Sequence, residues 1–499
     1  MDYQFINSPC PFLKRVLGEV RSLEQAQEIR LTDGMPDIGR VLCGWGQILQ
    51  RSKEWNGDSI TLSAGMMVWV LYAPEDGSGP RTVEGWIPFS MTWDLPDAMP
   101  EGKMQITCLT KFVDVRSVSA RKIMVRAGIG AMAQAYIPYE AQIYGPQGEP
   151  PQVELKKVKY PLRLPAEAGE KIFSLEEDLD LPATVPEMEK LILYTLEPEI
   201  LEKRVMTDKL LFRGNARIHI LYEGTEGKLH SWDFSQPFNQ FAELESSCAQ
   251  EAEAQVCCAV TALELEQTEG GTLHLKAGLT GQYLVEDTRM LEITEDAYSP
   301  VMALEVQKEE LQIPRILESR REMISPEASI PGDGVLAVDT LFLPDYPRHR
   351  YVEGSILTEL SGIFQVLYYG TDGALQCAVS RWEDQRRLEA GEDLTVMSSP
   401  LAPSEPQILM GTGDMKLRSE FPLQTVIETQ AGLPMVTGLK PGEALPPEEG
   451  RPSLILRRAG DQGLWEIAKA SGSTIHAIQA ANHLENEPAP GQMLLIPIL

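Results

Sequence analysis

Apolar and polar residues alternate with a period of two along most of the chain, and 3.6-residue spacing is scarce until its end. Leu273-His274-Leu275-Lys276 and Met415-Lys416-Leu417-Arg418 show the pattern of a half-buried antiparallel strand. Leucine and methionine face inward there, while lysine and arginine reach outward on long stems. Glycine and proline recur at short intervals, the punctuation of turns between strands. The pattern predicts a mostly β protein built of sandwich-like or barrel-like domains of roughly 100 residues each.

Three apolar runs end in tyrosine: Val68–Tyr72, Ile218–Tyr222 and Phe364–Tyr368. Each precedes a polar, glycine-containing turn, at Glu75-Asp76-Gly77, Glu226-Gly227 and Asp372-Gly373, as in hairpins. Thirty-six residues before Tyr72 stands Pro36-Asp37, and thirty-six before Tyr222 stands Pro186-Glu187. Pro88-Phe89 and Pro237-Phe238 follow at offsets of 16 and 15. Ile123–Arg126 and Leu273–Lys276 both end 54 residues past their tyrosine, and Met415–Arg418 ends 50 past Tyr368. Such agreement predicts a triplicated unit whose third copy is degraded. The acidic residue after each landmark proline suggests a short helix or turn opening the unit. The expected organisation is a lead segment (1–34), units at 35–144, 152–300 and 301–437, a Pro/Gly linker (438–452) and a distinct tail (453–499). The linker, rich in proline and glycine, is expected to hold the tail away from the units.

From Ser453 the texture changes to β-α-α-β. Leu454-Ile455-Leu456 reads as a strand, and Leu464, Ile467 and Ala468 share one helical face. Asp461 is the expected cap of that helix, Gly472 its left-handed stop, and Thr474 the cap of a second helix ending at Asn482. Met493–Pro497 closes the module as a strand.

Charge narrows the function. Forty-four Lys and Arg against 73 Asp and Glu give −29, a balance that repels phosphate backbones and anionic headgroups. Nucleic acid is therefore an unfavourable partner, and acidity of this kind keeps a large scaffold in solution. Seven cysteines, scattered without a CxxC pair, fit reduced thiols. The N-terminus has no apolar stretch behind a basic one, and no run approaches the ~20 apolar residues of a membrane span. An intracellular protein is the expectation.

Catalytic and metal chemistry find no support. The six histidines lack HxxxH or HExxH spacing, and His219 and His274 read as ordinary strand residues. Adjacent Cys257 and Cys258 point to opposite faces of a strand. GIGAMA at 128 and GTGDMK at 411 are incomplete as nucleotide loops, and no GxSxG elbow is present. The chain reads as non-enzymatic, with no catalytic residue, cofactor or metal.

The tail GDQGLWEIAKASGSTIHAIQAANHLENEPAPGQMLLIP resembles the LysM module. That resemblance implies a shallow groove, which in many LysM modules takes N-acetylglucosamine chains of peptidoglycan or chitin. Its lips would be Gly460, Asp461, Gln462 and Gly463 on one side and Leu484, Glu485, Asn486, Glu487 and Pro488 on the other. Gln462-Gly463 stands where LysM modules carry one Thr or Ser, and Leu454-Ile455 where an aromatic residue is frequent. Trp465 reads as a helix-packing residue rather than a sugar platform. Sugar recognition needs flat stacking surfaces, so these departures leave protein binding open. Phe173–Pro182, the Ile-Leu-Tyr run, Pro237-Phe238 and Asp296–Pro300 are similar to the SPOCS (spore coat assembly) domain. Repeated SPOCS domains ahead of a LysM resemble the SipL family. The resemblance implies a scaffold in the mother-cell cytoplasm at the forespore surface that binds a SpoIVA-type coat morphogenetic ATPase, with the LysM taking part in the contact.

Overall fold

Period-two alternation carries nearly the whole chain into antiparallel ladders. The computed structural model describes residues 3–249, 251–268, 271–389, 394–411, 413–446, 452–460 and 462–498. The first six strands are β1 (Phe5–Arg30), β2 (Ile38–Trp55), β3 (Ser59–Pro74), β4 (Arg81–Asp94), β5 (Lys103–Ser119) and β6 (Lys122–Pro146). They form two sheets, ordered β1-β6-β5 and β2-β3-β4. The next six, β7 (Glu154–Leu179), β8 (Met188–Val205), β9 (Lys209–Gly224), β10 (Leu229–Glu243), β11 (Glu253–Gln267) and β12 (Leu273–Tyr298), repeat that order as β7-β12-β11 and β8-β9-β10. Pro88 and Pro237 lie on the edge strands β4 and β10, where a missing N–H costs no ladder bond.

A third set keeps the pairing with its long strands interrupted. The first strand becomes β13 (Met302–Leu311), β14 (Arg315–Ile324) and β15 (Glu327–Pro331), with Pro314 and Pro326 in the gaps. Its partner, split likewise, is β22 (Asp414–Arg418), β23 (Phe421–Thr429) and β24 (Leu433–Ala444). β20 (Leu394–Pro400) and β21 (Gln407–Met410) stand where the other sets have one strand. β16 (Gly334–Pro344) and β17 (Arg348–Val352) line one side of β18 (Ser355–Gly370), with β19 (Leu375–Glu389) on the other. Proline lacks the ladder donor, which accounts for the breaks at Pro314 and Pro326.

Each set is a sandwich. In the first, Leu62, Val68 and Val70 of β3 pack on Ile123, Val125 and Ile129 of β6. In the second, Phe212, Ile218 and Ile220 meet Leu273, Leu275 and Leu279. In the third, Phe364 and Val366 meet Met415, Leu417 and Phe421. The thirty-six-residue spacing has a physical cause: the Tyr72 hydroxyl donates to Pro36 O at 3.1 Å, and Tyr222 donates to Pro186 O at the same distance. Tyr368 donates instead to Gln376 Oε1, and Gly332 stands at the corresponding place.

Two expectations are corrected. The lead segment is no separate lead, since Phe5–Arg30 pairs with β6 along its length. The expected helix or turn at the opening of the units is a turn, at 33–35 ahead of β2 and at 183–185 ahead of β8. The linker begins later, because Gly438–Ala444 belongs to β24 and pairs with β13; of its remainder, 447–451 lie outside the described residues.

The three sets share an apolar junction. Leu71, Leu221 and Leu367, each one residue before its tyrosine, meet in a single cluster with Trp45, Trp69 and Val338. Polar bonds cross the same junction. Trp45 Nε1 donates to Asp339 at 2.8 Å, and Leu196 N donates to Gln47 Oε1 at 2.8 Å. His219 sits between two carboxylates, with Nδ1 2.7 Å from Asp233 and Nε2 3.2 Å from Asp339. Burial alone would lower its pKa, but Asp339 and Asp233 raise it to about 10.

Candidate functional site

The chain ends in β25 (Leu454–Arg458), α1 (Leu464–Ser471), α2 (Ile475–Asn482) and β26 (Met493–Pro497), with β25 and β26 paired. Helix is confined to α1 and α2 among the described residues. Leu464, Ile467, Ala468, Ile478, Leu494 and Ile496 make the small core. Gly472 ends α1 in the left-handed region at φ 61°, which only glycine adopts without strain. Thr474 caps α2 by accepting from Ala477 N at 3.1 Å. Asn482 ties α2 to the closing strand, accepting from Leu495 N at 2.7 Å and donating to Leu495 O at 2.6 Å.

The two expected lips stand side by side. Asp461 lies outside the described residues, so its capping role has no structural account. Gly463 occupies the cap position without a side chain, and the α1 amide of Leu464 donates across the groove to Glu487 at 2.8 Å. A carboxylate from one lip thus serves the positive end of a helix that starts at the other. Gln462 accepts from Arg457 at 2.7 Å. Gly460, Gln462, Gly463, Glu485, Asn486 and Glu487 are exposed, while Leu484 and Pro488 are half-buried. None of the nine groove residues is aromatic.

The tail does not stand away from the units. Trp465 packs edge-on against Tyr298 with ring centroids 4.9 Å apart, and its indole donates to Asp296 at 2.9 Å. Lys469 reaches the same carboxylate oxygen at 2.6 Å, and Lys308 takes the other at 2.7 Å. The Tyr298 hydroxyl donates to Ser473 O at 2.9 Å. Burial would push the Asp296 carboxyl up, but these three donors hold it at about 2. The linker expectation fails because an aromatic pair and a buried carboxylate supply a dock. The docked face carries Trp465 and Lys469; the groove lips lie elsewhere.

Comparison with family models places two matches. Residues 187–268 match the SipL, SPOCS domain model, and residues 458–497 match the LysM domain model. The chain carries a SPOCS domain and a LysM domain. Both are non-catalytic binding or scaffold domains, and together they support a sporulation-related protein with a LysM module. No curated protein and no solved structure matches the chain.

The SPOCS match spans β8 to β11, the middle of the second sandwich. Just beyond it, the Asp296–Pro300 segment meets the LysM. The sequence shows that segment without its partner, since nothing local couples position 296 to position 469. His219 is likewise more than an ordinary strand residue: it joins the second sandwich to the third through Asp339. No cluster suited to a metal ion occurs among the described residues, and none of their helices is long and apolar enough to cross a membrane.

Proposed function

We propose that the protein is a non-enzymatic scaffold of spore coat assembly, in which three SPOCS-type sandwiches form a platform and the LysM presents a partner-binding groove. The pairing order common to all three strand sets supports reading the first and third as further SPOCS copies with boundaries near 5–146, 154–298 and 302–444. One observation carries the reading: the LysM is docked through Trp465 and Lys469 while Glu485, Asn486 and Glu487 stay exposed. A module held rigidly by one face and open at another is preorganised for a partner, which lowers the ordering cost of binding. The partner of choice is a SpoIVA-type coat morphogenetic ATPase, with the mother-cell cytoplasm at the forespore surface as the setting; its support is the SPOCS–LysM combination. Co-purification of that ATPase with the full-length chain, the Glu485→Lys variant and a chain ending at Pro446 tests this. Recovery is expected to fall in both altered chains, and equal recovery from all three would remove the LysM from the contact.

A second reading, binding of N-acetylglucosamine-containing peptidoglycan or chitin, is favoured by the LysM match itself. Against it stands a groove without a stacking ring and with two acidic residues on one lip. Titration of the full-length chain with chitin fragments decides between them. Saturable shifts of Gln462 and Asn486 resonances would support the glycan.

A further inference from the structure

A cavity of about 600 Å³ opens where the three sandwiches meet, within the size range of small-molecule sites. Most of its wall is apolar, with Ile48 from the first sandwich, Leu196 and Val260 from the second and Leu341 from the third. Glu199, Lys203 and Arg321 also line it, and one pole gathers most of the carboxylates. There Arg217 and His219 face four carboxylates, those of Glu197, Asp233, Asp339 and Glu405. Both cations are already engaged: Arg217 pairs with Glu197 at 2.6 Å and donates to Pro403 O, and His219 lies between Asp233 and Asp339. Glu405 makes no ion pair among the described residues. Burial raises its carboxyl above the ordinary value, with Asp233 and Asp339 adding to that and His219 and Arg217 opposing it. Glu197 is surrounded by protein, yet 43% of its side chain remains accessible, because the cavity reaches it.

One further observation sets this space apart from a packing gap. The loop bearing Glu405 breaks the likeness of the three sandwiches. Where β5 and β11 run as unbroken strands, the third copy interrupts its ladder at residues 401–406, with prolines at 400, 403 and 406. That interruption is what delivers Glu405 to the pole.

We propose that the cavity binds a small organic cation, with a primary ammonium against Glu405 and Asp233 and an apolar body along the walls. No LysM lip residue lines the cavity, so this site stands apart from the partner reading and its failure leaves that reading untouched.

The test is calorimetric titration of the full-length chain with phenethylamine, phenethyl alcohol and hydrocinnamate, which share an apolar body and differ in charge. The amine is expected to saturate one site and to bind about tenfold tighter than the alcohol, the worth of one charge-assisted hydrogen bond. The anion is expected to bind weakest. Glu405→Gln, an exposed change that leaves the fold intact, is expected to erase the preference of amine over alcohol. Ile200→Trp, which fills the cavity, is expected to abolish binding of all three, with circular dichroism confirming that it folds. Absence of saturable amine binding, equal affinity for the three probes, or amine binding unchanged by both substitutions would overturn the proposal.

Discussion

Asp296 takes three donors from two sides of a domain boundary: Lys308 from the third sandwich, and Trp465 and Lys469 from the LysM. With a folded pKa of about 2 against an ordinary value near 3.9, its contribution is fully present above about pH 4. That contribution is lost as pH falls through 2. Asp296→Asn should therefore weaken the dock by about 2 kcal/mol at neutral pH. Limited proteolysis near residue 450 should then run faster than in the parent chain, and the two should converge at pH 2. His219 runs the other way. Its folded pKa of about 10 lies above the ordinary value near 6.5, so its contribution is complete below 6.5 and lost as pH rises through 10. His219→Gln, the residue found at the matching position 365, should lower Tm at pH 7 and flatten its decline toward pH 10 in calorimetry. Neither residue was legible in the sequence as a structural cornerstone. An aspartate or histidine in a strand looks ordinary until folding brings a partner from 100 or more positions away.

At the scale of elements, much was readable because the cause is local. The alternation in Leu273–Lys276 places Leu273 and Leu275 in the core, as expected, because a strand turns successive side chains to opposite faces. The Tyr-to-Pro spacing proved to be a hydrogen bond. Tyr72→Phe and Tyr222→Phe should each cost about 1 kcal/mol in denaturant unfolding. Tyr368→Phe, which loses only a side-chain partner eight residues away, should cost less. What stayed hidden were elements defined by distant pairing. Phe5–Arg30 has the alternation of an exposed-edge strand, weak in apolar residues, and becomes a strand through β6. Gly438–Ala444 contains Pro441 and Gly442 and read as linker; it is edge strand opposite β13, where such residues are tolerated. The LysM was legible in full outline because its caps and turns are short-range signals, whereas the cap of α1 by Glu487 bridges 23 residues.

At the scale of the whole molecule, the sandwiches are joined rather than strung. The junction of Leu71, Leu221 and Leu367 buries one apolar face of each, and the Arg15–Glu428 pair at 2.6 Å links first to third. A chain ending at Pro446 should therefore unfold in one calorimetric transition; three separable peaks would show independent units. This body holds the LysM by its Trp465 face and leaves the groove free. Hydroxyl-radical footprinting of the full-length chain reads that contact as the oxidation rate of Trp465. Slow oxidation is expected for an indole only 6% exposed, with a marked rise in Asp296→Asn. Oxidation of Trp465 in the parent chain at the rate of a free surface tryptophan would contradict it.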